Sequence, residues 1–362
     1  MVRVGIISRI LFFVTFVCWQ HSCVLAQKDL GLLPKLLVSV PVANIMAKPQ
    51  ALRGVCAPVT RAGDVSLLTT QALFCEQMLL VDQHDEWYKV LLLEQMQDQP
   101  DGQLPVVRGW IEKDKTIFVD SFVTYNLVVC THNARLLADD GTKITLSLGT
   151  KFFGKKHNER LWRVSLPGGV TGLLKTRDVY YFGNKKLVAA DVRAQLVSLA
   201  KGMRGQPFCW FGRSSYCKKN KDQLTSVGCD GLVNVLYRAC GLEIPRFAHE
   251  QCLQGKPLDG EDLKPGDLIF FASRKKDFQA HHAMIYLGSN QLLEATFQSS
   301  APWYPARVIS CVQRLKKPIS AIKNGEDFGS YKVFFASYLS SKRTMQRLRS
   351  VAQKNVMNFP EC

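Results

Sequence analysis

The sequence predicts an α+β fold in which helices come first and an antiparallel sheet follows, with two small β-barrels ahead of it. Three observations predict this. Residues 27 to about 188 run as short apolar, β-branched stretches broken by turn signals. At Ala189 the apolar spacing changes to a helical period. After Gly241 strand-like runs return, an order that suits helices packed on an antiparallel sheet.

The first β region, 27–120, contains LLVSVPVANI, LLTTQALFCEQMLLVD, EWYKVLLL and VVRGWIE, with the turn signal Asp101-Gly102 inside a polar linker. The second, 121–188, repeats this plan in shorter form. LWRV (161–164) echoes EWYKV (86–90), VTGLL (170–174) echoes VRGWI (107–111), and LSLGTKFF stands where QALFCEQM stood. Gly109 and Gly172 each precede an apolar pair, as a turn into a last strand would. Echoes in the same order favour two tandem barrels over one larger β-domain. In the third region, 189–340, Val192, Leu196 and Leu199 mark a helix ending at Gly202. A second helix starts at Cys229, carries Leu232, Val233, Val235 and Leu236, and stops at Gly241. DLIFFAS, AMIYLG, QLLEATF and VFFASYL then read as strands. The last segment, 341–362, places Met345, Leu348, Ala352 and Val356 on one stripe among Lys342, Arg343, Arg347, Arg349 and Lys354. That pattern fits a basic helix touching an anionic membrane or polymer, and equally a solvated helix packed on its own domain.

The chain has 362 residues and a formal net charge of +17, spread along its length. Such a field favours polyanions such as nucleic acid, anionic lipid or an acidic polymer outside the cell. The N-terminus argues against nucleic acid. Arg3 and Arg9 precede the apolar run Ile10–Trp19, and small residues follow in VLA before Gln27, the layout of a cleavable signal peptide over 1–26. A single membrane anchor is the other reading, but the run is short for a span. Export, to the periplasm or cell envelope or into the medium, permits disulfides among the ten cysteines that follow residue 26. Cys209 and Cys217 lie close enough in a polar loop to pair locally. No CxxC or paired-histidine spacing points to zinc, and no cofactor is implied.

Cys229 and His282 carry the chemistry. A thiol at a helix N-terminus feels the positive end of the helix dipole, which favours thiolate. A histidine brought beside it can take the proton. Alone, the pair also fits a buried core cysteine and a strand histidine. The surrounding blocks change this. GQPFCWFG (205–212), GCDGLV (228–233), LEIPR (242–246) with Gln251, LKPGDLIFF (263–271), HHAMIYLG (281–288) and LLEAT (292–296) occur in the order found in the NlpC-type cell-wall cysteine peptidases. Residues 202–296 resemble that branch of the papain-like superfamily, and the β regions resemble the tandem bacterial SH3-like modules that often precede it.

The resemblance implies a papain-like domain with Cys229 as nucleophile, His282 as general base and Glu294 in the place of the third polar residue. Glu294 also fits a solvent-facing strand position. Strand alternation puts Met284 and Tyr286 on the face of His282 and turns His281 the other way. Phe208, Trp210, Asp230, Arg246 and Phe74 fall on substrate-binding positions. The implied substrate is the peptidoglycan stem peptide, cut between γ-D-glutamate and the following diamino acid, and its carboxylates suit a basic protein. The chain departs from the pattern at Gly228 for Asp, Asp230 for Ser, Phe247-Ala248 for Asp-Ser, Phe74 for Tyr, Phe208 for Tyr and Phe211 for Gly. Much of the set that binds the free amine of a leading alanine is thereby lost, so stem peptides still attached to glycan are the expected substrate. An N-acetylmuramoyl-L-alanine amidase of the same superfamily, a non-catalytic wall-binding protein and a lipid acyltransferase on the same fold are the rival readings.

Overall fold

The computed structural model describes residues 29–51, 67–99, 103–184, 186–215, 225–274, 278–296 and 305–354. The segment 1–26 expected to be a signal peptide, Cys56, Cys217 and Cys362 lie outside the described residues.

The first region is built from β1 (Lys35–Val38), β2 (Val42–Met46), β3 (Leu68–Leu73), β4 (Gln77–His84), β5 (Trp87–Met96), β6 (Val106–Glu112) and β7 (Thr116–Val119). They form one sheet in the order β3-β2-β6-β5-β4-β1-β7. The second region holds β8 (Leu127–Val129), β9 (Ala134–Ala138), β10 (Lys143–Leu146), β11 (Lys151–Phe152), β12 (Gly154–Asn158), β13 (Leu161–Ser165), β14 (Thr171–Lys175) and β15 (Val179–Tyr181). Its sheets run β10-β9-β14-β13-β12 and β11-β8-β15. The two orders coincide strand for strand once β4 is matched to β11 and β12 together. The echoes in the sequence therefore mark a structural repeat.

The turn before that matched strand confirms the correspondence. Cys75 (φ +64°) and Gly149 (φ +87°) are both left-handed. Cys75 N–H donates to Val38 O at 2.9 Å, and Gly149 N–H donates to Val129 O at 3.0 Å. Gly109 opposes Val90 just as Gly172 opposes Val164. Each repeat buries its own apolar cluster. Leu36, Ile45, Val90 and Val107 fill the first, and Leu127, Leu136, Phe152 and Val164 the second. The expected closed barrels are not found among the described residues, where β3 and β7 end the first sheet as unjoined edges.

The third region opens with α1 (Ala189–Gly202), α2 (Cys229–Ala239) and α3 (Ala248–Gln254). It continues through β16 (Lys256–Pro257), β17 (Leu268–Ser273), β18 (Ala280–Gly288), β19 (Gln291–Glu294), β20 (Arg307–Ser310), α4 (Cys311–Leu315), β21 (Glu326–Phe328), β22 (Tyr331–Ser337) and α5 (Lys342–Lys354). The sheet order is β16-β22-β17-β18-β19-β20, with β21 on β22, and every pairing is antiparallel. One sheet face, carrying Leu268, Phe270, Ala283 and Ile285, packs on α1 and α2 through Leu196, Leu232, Val235 and Leu236. The other face buries Ile269, Phe271, Met284 and Leu292 against Leu315 and Ile319. Truncating one of these leucines costs about 2–5 kcal/mol.

The stripe on α5 is satisfied internally. Met345 and Leu348 join the α1–α2 core, and Ala352 packs with Tyr125, Val128 and Phe182. Through these three residues the helix is docked on its own molecule, and Val356 lies outside the described residues.

Six buried charges lie where the three regions meet. Lys151 Nζ is 2.7 Å from Glu94 and 3.2 Å from Glu243. Arg238 on α2 reaches both carboxylates at 2.6 Å. Arg213 pairs with Glu76 at 2.9 Å. Tyr125 donates its hydroxyl to Glu94 at 2.8 Å. Three carboxylates against three cations leave the cluster neutral, which is the condition for burying it.

Candidate active site

Cys229 is the first residue of α2, and its position is fixed by tight backbone packing. Gly228 N–H donates to Gly212 O at 2.8 Å, Cys209 N–H to Val227 O at 3.1 Å, and Ser214 N–H to Ser226 O at 2.9 Å. Gly231, in the first turn of α2, lies so close to this loop that a Cβ would stand 2.0 Å from Gly212 O. The thiol is buried, with Sγ 3.9 Å from His281 O on β18.

His282 is also on β18. Its Nε2 lies 3.1 Å from Glu294 Oε2 on β19. Glu294 is fully buried and takes two further partners. Arg307 donates to Oε1 from Nε at 3.0 Å and from Nη2 at 2.6 Å, and Arg314 donates from Nε to Oε2 at 2.9 Å. Burial opposes the Glu294 charge, but the His282 and Arg314 contacts outweigh it and hold the carboxyl down at about 2. Glu294 is thus an inward, charged residue and not a solvent-facing one. At Cys229 the balance is reversed. Burial and then the Asp230 carboxylate push its thiol up to about 12, against the helix dipole.

Strand alternation does not hold at His281. The β17–β18 register shifts between Phe271 and Ala272, pairing Phe271 with His282 and Ala272 with Ala280, so His281 is an extra residue in a bulge. Both imidazoles therefore meet one aromatic stack. His282 lies 5.9 Å from Phe271, His281 lies 4.9 Å from Tyr331, and Phe271 stacks on Tyr331 at 5.8 Å. His281 is exposed, whereas His282 is buried against Glu294.

Two clefts flank Cys229. One, about 200 Å³, is lined by Phe208, Trp210, Cys229, His281, His282 and Arg314, with Phe271, Ala295, Thr296 and Tyr331. The other, about 410 Å³, is lined by Gln97, Phe211, Asp230, Phe247, His249 and Glu250 among others. Phe208 and Trp210 line the first cleft, and Trp210 and Asp230 line the second. Arg246 is a brace beneath the site. It is fully buried, lies 3.0 Å from Asp230 Oδ1 and donates to Thr70 Oγ1 at 2.7 Å and to Phe211 O at 2.8 Å. Phe74 faces neither cleft. It is buried 6.1 Å from Phe152 in the core of the second repeat, because the left-handed turn at Cys75 directs it there. The first repeat reaches the cleft through Gln97 instead.

Sequence reasoning missed Arg307 and Arg314. Arg307 is the cross-strand neighbour of Glu294, a relation visible only once β20 is paired with β19.

Across residues 205–303 the sequence matches the NlpC/P60 family. That stretch is similar to an NlpC/P60 domain. The chain is 23% identical over 287 residues to a γ-D-glutamyl-L-lysine dipeptidyl-peptidase of Bacillus cereus, covering 72% of this chain and 83% of that protein. It is 29% identical over 172 residues to the peptidoglycan endopeptidase RipB of Mycobacterium tuberculosis, covering 45% of this chain and 66% of that protein. A crystal structure of an NlpC/P60 family protein from Bacillus cereus superposes with a TM-score of 0.64 at 22% identity, covering 84% of this chain and 99% of that one. This last likeness shows a fold shared across the β repeats and the matched stretch. Cys229, His282 and Glu294 all lie inside the matched stretch, while Arg307 and Arg314 lie beyond it.

Proposed function

We propose that the protein is an exported cysteine peptidase that hydrolyses peptidoglycan stem peptides between γ-D-glutamate and the following diamino acid. The relatives named above act on these bonds or on peptidoglycan. The observation that carries the reading is the placement of Cys229 and His282 on one cleft, with His282 bonded to a buried, charged Glu294. The layout of residues 1–26, basic residues then an apolar run then VLA, supports export. The repeated strand order over 27–120 and 121–188 supports tandem SH3-like modules ahead of the peptidase domain at 189–340.

With a thiol raised to about 12, Cys229 stays protonated until a base takes the proton. Glu294 occupies Nε2 of His282, which leaves Nδ1 for that role. The sulfur attacks the scissile carbonyl. The Cys229 N–H, unpaired within α2 as a first-turn amide, donates to the developing oxyanion. His282, now charged and held by Glu294, gives its proton to the leaving amine. Water, deprotonated by His282, then cleaves the thioester and restores the thiol. The larger cleft keeps two carboxylates, Asp230 and Glu250, beside the thiol. A comparison of free tripeptide with intact sacculi decides whether they serve a terminal amine.

Digestion of sacculi by the wild type and by Cys229→Ala, followed by mass analysis, tests the reading. New amino termini at the diamino acid, lost in the variant, are expected. Peptides beginning at alanine would instead establish the amidase, and wall binding without cleavage by either protein would establish the binder.

A further inference from the structure

We propose that Arg314 anchors a substrate carboxylate in the cleft that receives the leaving half of the peptide. The inference rests on the hydrolase reading above and names what that half must carry.

Arg314 lies on α4, outside the matched stretch, and no sequence block led to it. Its Nε is committed to Glu294 at 2.9 Å. The guanidinium lies 4.6 Å over the Phe271 ring, which holds its plane in place. The side chain is 24% exposed and lines the same cleft as Cys229 and His282. Among the described residues its Nη groups take no hydrogen bond, so that edge of the fork is presented to the cleft.

The charge balance points the same way. Glu294 is already met by two bonds from Arg307, so Arg314 is a second cation on a single carboxylate. No Asp or Glu lines this cleft, whereas the cleft on the other side of the thiol holds Asp230 and Glu250 and no Lys or Arg. The site is therefore polar along its length, with excess positive charge on the His282 side. His282 must hand its proton to the leaving nitrogen, so the leaving residue lies on that side. A planar fork with free N–H groups matches a carboxylate. That carboxylate is either the α-carboxyl of the diamino acid or a carboxyl on its side chain.

The test uses three peptides that share L-alanyl-γ-D-glutamate, each offered with the alanine amine free and with it acylated as it is on glycan. They end in lysine with a free α-carboxyl, in lysine amide, and in diaminopimelate whose α-carboxyl is amidated and whose side-chain carboxyl is free. The wild type is expected to cut lysine amide about 10- to 100-fold less efficiently than the preferred carboxylate peptide, mainly through KM. Which carboxylate peptide it prefers identifies the source. In Arg314→Gln the three efficiencies converge, while any drop in kcat common to all three reports the lost brace on Glu294. Equal cleavage of all three by the wild type, or discrimination kept in Arg314→Gln, overturns the anchor and leaves the hydrolase reading standing. Cleavage of none of the three overturns both.

Discussion

Cys229 sits between two opposing influences. The α2 N-terminus favours its thiolate, while burial and Asp230 favour the thiol, and the result is a group raised to about 12. The resting enzyme is therefore expected to alkylate slowly at neutral pH, the rate climbing steadily with alkalinity. Asp230→Asn removes the nearby negative charge and leaves the buried Arg246 uncompensated beside the sulfur. Both changes favour thiolate, so iodoacetamide labelling at fixed pH is expected to quicken by about tenfold or more. An unchanged rate would show that Asp230 does not control the sulfur. Glu294 behaves oppositely. Its carboxyl is held at about 2, below the ordinary value of 4.5, so its contribution to stability is complete above 4.5 and is lost as pH falls toward 2. Activity that fails on mild acidification, well above pH 4.5, must then fail through a group other than Glu294. Glu294→Gln keeps a partner for His282 but strands Arg307 and Arg314. We expect kcat to fall about 10- to 100-fold and stability to fall by about 3–5 kcal/mol, measured by steady-state kinetics and urea denaturation.

The elements that place these residues differ in how readable they are. α2 was legible because apolar residues at helical spacing follow Cys229 and Gly241 (φ +70°) ends them. β17, β18, β19 and β22 were legible as apolar runs. The bulge at His281 was not, because it depends on the register with β17, and alternation alone put that ring on the wrong face. The structure separates the two histidines by their partners. His281→Ala is expected to keep activity within about threefold, while His282→Ala is expected to lose at least about 10³-fold, as befits a general base. β20 and α4 span only four and five residues, too short to show a period, and so Arg307 and Arg314 went unread. Phe74 was misplaced because homology of position says nothing about the turn at Cys75. Gly231→Ala tests the packing beneath α2. A methyl group 2.0 Å from Gly212 O must push the nucleophile's helix away from its loop. A marked drop in Tm and in turnover is expected, with no gain from the helix propensity of alanine.

Across the molecule, the buried network makes three regions into one body. Its members, Glu76, Glu94, Lys151, Arg213, Arg238 and Glu243, come from every region. None belongs to a local pattern, which is why sequence reasoning recognised the repeats and the peptidase region but not what joins them. Arg238 is on the helix that presents Cys229, so the joint and the nucleophile share one rigid element. Urea denaturation followed by far-UV circular dichroism and by tryptophan fluorescence is expected to give coincident single transitions. Glu94→Gln should lower stability by about 3–5 kcal/mol without separating them. Two resolved transitions would show that the regions fold independently.

The network also limits how such a chain can diverge. The two β units are copies of one plan, yet at neighbouring positions the first supplies the anions Glu76 and Glu94 and the second the cation Lys151. A single exchange at any of these positions leaves an unmatched charge sealed from water. Substitutions here are expected to be tolerated only in compensating sets. A Glu94→Gln, Lys151→Met double variant should recover part of what either single change loses, so that ancestry is recorded in coupled positions.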